Sequence, residues 1–274
     1  MRPIMIQGTA SGVGKTILTL ALCRIFKQDG YHVAPFKAQN MTPNTYFTKN
    51  GDEIAVSQWL QANAAGVLPD AAMNPVLLKP SPQGTQVIAN GKPLDTVDTS
   101  NFKSIKKTLK PIIADAFDSL SKQYDIIVIE GAGSPVELNL NNDDIVNMGM
   151  AKLAKSPVLL VSDIDRGGVF ASLYGTLSLF SEPERKHVKA TIINRFRGEP
   201  SLFQDGVNIL EKITTLPVAG VIPYIHIDLP EEDTLLDNPL DIRVNFESNF
   251  DAIADTTRKS MNMDLIYKIL NNEV

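Results

Sequence analysis

The run "QGTASGVGKT", residues 7–16, separates a short apolar segment at 4–6 from a long helix-like segment at 17–26. Strand, glycine-rich turn and helix in that order constrain the chain more than any other feature. Gly8, Gly12 and Gly14 let successive backbone N–H groups face one point without a Cβ in the way, and the helix behind them adds its partial positive charge. That corner is built for a phosphate. The usual spacing G-x-x-x-x-G-K-[ST] asks for glycine at position 9, where this chain has Thr9, so its loop is one residue longer. Lys15 is placed to reach terminal phosphates and the Thr16 hydroxyl to bind Mg2+.

Apolar runs return at 33–36, 125–129, 158–161, 191–193 and 218–222. Helical patterns fall between them at 54–65, 105–121 (with Pro111 interrupting or starting it), 144–154, 169–180 and 202–213. This alternation predicts an α/β fold, a mostly parallel sheet with helices on both faces. Ligands of such sheets sit beyond the carboxyl ends of the strands, so function is expected along that rim. The proline-marked segment 40–98 is the least regular and reads as an insertion that carries one helix and shapes a substrate pocket. Residues 1–235 form the main domain, and 236–274 a tail whose apolar positions between 252 and 270 predict a helix packing back on it.

Composition narrows the function. The chain has 274 residues, 43% hydrophobic and 21% charged, as an ordinary globular domain does. Net charge is -5 with lysines and arginines scattered, so no nucleic-acid ligand is expected. No apolar stretch approaches the roughly 18 residues of a membrane helix, and the first strand follows Met1 directly, which leads to the expectation of a cytoplasmic protein with no membrane partner. The single cysteine, Cys23, excludes an internal disulfide, and His32, His187 and His226 are too dispersed for a metal signature.

Several rim residues carry chemistry. Glu130 ends the run "YDIIVIE", where a buried carboxylate needs a cation, a salt bridge or a helix N-terminus to hold. Lys37, just past the 33–36 run, neutralises a transferring phosphoryl group, holds a substrate carboxylate, or is an ordinary solvated lysine. In "SDIDRGG", 162–168, Asp163 or Asp165 positions a nucleophile or metal and Arg166 grips an anion while Gly167 allows close approach; helix capping by Asp165 and an internal Asp–Arg pair is the plainer reading.

Together these blocks resemble a known group. "QGTASGVGKT" is similar to the extended P-loop of the dethiobiotin synthetase superfamily. Within it, "FKAQNM" (36–41), "MNPVLLKP" (73–80), "EGAGSPVELNL" (130–140), "SDIDRGGVFASLYGT" (162–176), "INRFRG" (193–198) and "GVIPY" (220–224) resemble the N-terminal synthetase domain of the cobyric acid synthase family. The resemblance covers roughly residues 3–235 and implies an ATP- and Mg2+-dependent amidation of carboxylates on a corrinoid, adenosylcobyrinic acid a,c-diamide, through an acyl phosphate. It implies that Gly12, Val13, Gly14, Lys15 and Thr16 hold the phosphates, Lys37 the transferring group and Asn194 the adenine edge. Thr16, Glu130 and Glu53 would share the Mg2+. Lys15, Lys37, Glu130 and Asp165 form the catalytic set, and Gln39, Asn40, Asn74, Arg166 and Gly167 face the substrate.

Full-length members of that family continue into a glutaminase domain with a catalytic cysteine and histidine, for which Cys23 is no substitute. Either ammonia is used free, or a separate glutaminase subunit delivers it, or the chain is an excised or reduced form; the superfamily resemblance implies a homodimer. Two other functions use a similar loop. A dethiobiotin synthetase-like ligase usually has Asp where this chain has Ala10, and a regulatory ATPase of the ParA or MinD kind carries an early P-loop lysine where this chain has Thr9, Ala10 and Ser11.

Overall fold

The computed structural model describes residues 1–81, 84–97, 102–139, 144–225 and 246–274. The chain begins with β1 (Arg2–Gly8), α1 (Lys15–Gln28) and β2 (Val33–Phe36). It continues through β3 (Gln39–Met41), β4 (Thr45–Phe47), β5 (Glu53–Ala55), α2 (Val56–Ala65), β6 (Val76–Ser81), β7 (Gly84–Ala89) and β8 (Lys92–Val97). There follow α3 (Phe102–Ser121), β9 (Ile126–Glu130), α4 (Met148–Ala154), β10 (Val158–Asp163), α5 (Val169–Leu179) and α6 (Glu182–Arg185). The last elements are β11 (Val188–Phe196), α7 (Gln204–Thr214), β12 (Val218–Pro223), α8 (Glu247–Ser260) and α9 (Met263–Leu270).

Six strands form one parallel sheet in the order β12-β11-β10-β1-β9-β2. Ile4, Met5 and Ile6 of β1 and residues 126–129 of β9 are fully buried, as parallel strands covered on both faces require. β1 lies inside the sheet, and the strands on its two sides lead the chain outwards in opposite directions. Its carboxyl end is therefore a topological switch point, where a crevice opens for a ligand. The expected α/β class is the observed one.

The segment 40–98 is more ordered than its prolines imply. β3, β6, β7 and β8 make a second, four-stranded sheet and β4 and β5 an antiparallel ribbon, so the stretch holds two small sheets beside α2. Two of the prolines fit because they lie in strands where a neighbouring strand is missing on one side. Pro93 is on the edge strand β8, and Pro80 lies past the point where β3 stops pairing with β6. The helix expected at 54–65 starts two residues later, since Glu53, Ile54 and Ala55 pair with 45–47.

Other boundaries also differ from expectation. α3 runs through Pro111 rather than being broken by it, held by Leu109 on one side and Ile113, Phe117 and Leu120 on the other, all buried. The tail yields two helices instead of one. Between them Met261 bridges to Gly220, the Asn262 N–H donates to the Ala219 carbonyl at 2.8 Å, and the Asn262 side chain caps α9 by accepting from the Leu265 N–H at 3.0 Å. Arg24 of α1 ties α8 in place through Asp251 and Glu247, each at 2.7 Å. His226 and the tail up to residue 245 lie outside the described residues. Among the described residues no helix is long and apolar enough to cross a membrane.

Candidate nucleotide and cation site

The loop 8–16 sits at the carboxyl end of β1, between the ends of β9 and β10. Its extra residue has a partner: the Thr9 hydroxyl donates to Ser162 Oγ at 3.0 Å and the Thr9 N–H to the Val161 carbonyl at 2.9 Å, tying the loop to β10. Gly12 and Gly14 adopt φ of 70° and 95°, the left-handed region that a side chain resists. At Gly14 a Cβ would also come within 2.1 Å of Asn194 Nδ2. Asn194, at the end of β11, donates from that nitrogen to the Val13 carbonyl at 2.8 Å and so lies directly on the loop.

Lys15 opens α1, and its Nζ donates to the carbonyls of Ala10 and Gly133 at 3.0 Å each. It thereby bridges the loop to the glycine turn after β9. That turn is braced by Asn147, which is buried, donates to the Ala132 carbonyl at 2.7 Å and accepts from the Ala132 N–H at 3.1 Å. α4 itself begins at Met148, four residues later than its pattern predicts, because the Asp144 carboxylate accepts from the N–H groups of Val146, Asn147 and Gly149 and closes a turn first.

Glu130 is the centre of the polar contacts. Only 1% exposed, it accepts on Oε1 from the Thr16 hydroxyl and from Lys37 Nζ, both at 2.9 Å, and on Oε2 from Gln61 Nε2 at 2.6 Å. Lys37 is 5% exposed, so it is a buried ion-pair partner and not a solvated surface lysine. The lysine and the carboxylate meet because β2 and β9 are parallel neighbours and present their carboxyl ends together. A buried carboxylate holding an ammonium and a P-loop hydroxyl is a costly arrangement that folding alone does not call for.

The remaining expected residues divide into two groups. Asn40 and Asn74 are buried in the insertion next to Lys37. Asn40 Nδ2 donates to Ser57 Oγ at 3.0 Å and Gln58 Oε1 at 2.8 Å, while Asn74 Oδ1 accepts from the Ala55 N–H at 3.1 Å and the Lys37 N–H donates to the Met73 carbonyl at 2.9 Å. Gln39 begins β3 beside them. Glu53 is in β5, its carboxylate accepting from Lys79 Nζ at 2.6 Å; the structure joins it to that lysine and joins Thr16 to Glu130. Among the described residues no cluster of three or more histidine, cysteine or acidic side chains assembles as a metal site.

The second group is the exposed turn after β10. Asp165 pairs with Arg197, not with the adjacent Arg166, and this guanidinium holds its carboxyl below the usual carboxylate range. Arg197 also lies over the Tyr224 ring, 4.0 Å from its centre. Asp163 pairs with Arg195 at 3.1 Å. Gly168, in the left-handed region, occupies the N-cap of α5, so Asp165 does not cap it. Arg166 and Gly167 stand exposed at the tip of this turn. It is set apart from the buried Glu130 group by its exposure.

Two predictions arise from this packing. Gly14→Ala is expected to weaken binding of a fluorescent ATP analogue by about tenfold or more, because left-handed strain and the clash with Asn194 depopulate the binding-competent loop. Cys23 is fully buried, and burial first, then the Glu130 charge, raises its thiol above the ordinary cysteine value. It should stay unreactive to a thiol-specific chromogenic disulfide until the protein unfolds. The unfolded thiol ionises near pH ~8.5 while the folded one keeps its proton, so the stability tied to this group is intact below that pH and falls as pH rises beyond it. Denaturant midpoints at pH 7 and 9.5, compared with Cys23→Val, measure the difference.

Gln61 and Asn147 escape a reading of the sequence, since amide side chains in helical or loop patterns look like solvated positions. The one available signal is Gln58 and Gln61, three apart on a helix whose other residues are small or apolar.

Residues 4–235 match the family model described as the CobQ/CobB/MinD/ParA nucleotide binding domain, CbiA. Curated relatives named cobyric acid synthase include those of Ruminiclostridium cellulolyticum, 57% identical over 235 residues (85% of this chain, 46% of the relative), and Streptococcus sanguinis, 52% identical over 236 residues (86% and 47%). The chain spans about half the length of these relatives. Among solved structures, the MinC:MinD cell division complex of Aquifex aeolicus aligns with a TM-score of 0.47 at 16% identity, covering 94% of this chain and 95% of that one. With the family model spanning the sheet, the extended loop and the Glu130 group, this chain belongs to the CbiA family of nucleotide-binding domains.

Proposed function

We propose that this chain is the ATP-dependent synthetase portion of cobyric acid synthesis, amidating peripheral carboxylates of adenosylcobyrinic acid a,c-diamide in cobalamin biosynthesis. The names of its relatives support the substrate class. The observation that carries the chemistry is the convergence of Thr16, Lys37 and Glu130 at the end of the P-loop strand.

A carboxylate is a poor electrophile, so it must first gain a leaving group. In the proposed reaction a substrate carboxylate oxygen attacks the γ-phosphorus of ATP, the bond to the bridging oxygen breaks and ADP departs with its electron pair. The nitrogen of ammonia then attacks the acyl carbon, phosphate leaves, and the nitrogen loses a proton to solvent. The protein contributes charge and position. Backbone N–H groups of 12–16 hold the phosphates, Lys15 neutralises them, and Lys37 stands beside the transferring group. Thr16 and Glu130, both hard oxygen donors, suit Mg2+, which supplies charge neutralisation on the phosphates when bound. Asn40 and Asn74 fix the insertion against Lys37, where the carboxylate enters. No protein nucleophile is required, consistent with the inert setting of Cys23.

The test is incubation with ATP, Mg2+ and the a,c-diamide, with ammonium or with glutamine. Products whose masses fall by the difference between hydroxyl and amino, one step per amidation, are expected with ammonium. ADP release only with diaminopelargonate and bicarbonate would instead identify a dethiobiotin synthetase-like ligase.

A further inference from the structure

Gln61 is fully buried on α2, an element of the insertion, yet both of its N–H donors are turned towards the P-loop side. Nε2 donates to Glu130 Oε2 at 2.6 Å and, at a longer 3.3 Å, to the Thr16 carbonyl. Glu130 Oε1 is contacted by Thr16 and Lys37, so Gln61 is the contact that fixes the plane of the carboxylate from the other oxygen. Its Oε1 is buried with no hydrogen-bond donor among the described residues. Such an acceptor carries a desolvation cost that calls for an explanation. One turn earlier Gln58, equally buried, binds Asn40 of β3, so the same short helix face holds the insertion strand and the carboxylate.

The residue type matters. Lys37 already balances the Glu130 charge, and a second cation here would oppose a divalent ion. An amide donates to the carboxylate without adding charge, which leaves the full negative charge of Glu130 to be shared between Lys37 and a cation. We propose that Gln61 is a positioning residue for the cation-binding carboxylate, reaching it from the insertion. The proposal rests on the reading of Glu130 as part of a Mg2+ site.

Binding of a fluorescent ATP analogue is titrated with MgCl2 in the wild type, Gln61→Met, Gln61→Asn and Glu130→Gln proteins, and again in EDTA. In both Gln61 variants the Mg2+ concentration giving half of the full enhancement is expected to rise about tenfold or more, as loss of an outer-shell partner does, while affinity in EDTA is unchanged. A Gln61 midpoint equal to wild type, with the Glu130→Gln response lost, overturns the role of Gln61 and leaves the Mg2+ site standing. Identical Mg2+ responses in wild type and Glu130→Gln overturn the underlying reading and the proposal together. The shorter asparagine keeps an amide in the interior if methionine prevents folding. Loss of folding in both variants marks Gln61 as structural and overturns the proposal.

Discussion

Lys15→Ala is expected to lower ATP turnover by at least about a thousandfold, the scale at which a preorganised charge acts on phosphoryl transfer. In the folded protein this ammonium spans the P-loop and the Gly133 carbonyl, so it both closes the loop and brings a positive charge to it. Folding loses far less, about 1–2 kcal/mol for hydrogen bonds to carbonyls that water can partly replace. ADP release measured beside thermal unfolding separates the two. Lys15→Met keeps the length of the side chain and isolates the charge; turnover near wild type in either variant contradicts the phosphate assignment.

Glu130→Ala has the largest expected effect on stability. It removes the carboxylate from a Lys37 ammonium that is 5% exposed and withdraws the acceptor from Thr16 and Gln61. Breaking a buried pair on one side costs about 3–5 kcal/mol, or roughly 10 °C in midpoint for a chain of this size. Glu130→Gln keeps the volume and one acceptor, so its loss should be smaller, while Mg2+-dependent turnover still collapses. Lys37→Met with Glu130→Gln should be less damaging than the sum of the single changes, with a coupling of about 1–3 kcal/mol in a denaturant cycle. Additive losses would show that the pair does not act as a unit.

The strands and helices of the large sheet were legible because burial on both faces makes β1, β9 and β10 continuous apolar runs, and because the glycine loop marks one strand–helix junction unambiguously. Lys37 and Glu130 could each be placed at the carboxyl end of a strand, but their ion pair was not legible, because it depends on β2 and β9 being neighbours in the sheet. The insertion was read as such, but its two small sheets were hidden because proline signals irregularity, while Pro80 lies beyond the pairing with β3 and Pro93 on the edge strand. Glu53, which only the resemblance singled out, lies in the hairpin with 45–47 and against Lys79, a setting that no local pattern records. Gln61 was invisible for a different reason. An amide's role depends on a partner 69 positions away, and nothing local records that distance.

β2 is the last strand of the large sheet, yet all four of its residues are buried, with α2 and the turn at Ala71–Met73 packed on it and Phe117 of α3 against Phe36. Trimming the insertion to make a minimal nucleotide-binding core would therefore uncover an apolar sheet margin able to pair with other chains. The segment proposed to face the substrate would then also keep the molecule from sticking to its own copies. Exchange of specificity in this fold should then proceed by rewriting the insertion residue by residue, since wholesale deletion carries a penalty in solubility before any change in ligand is tried.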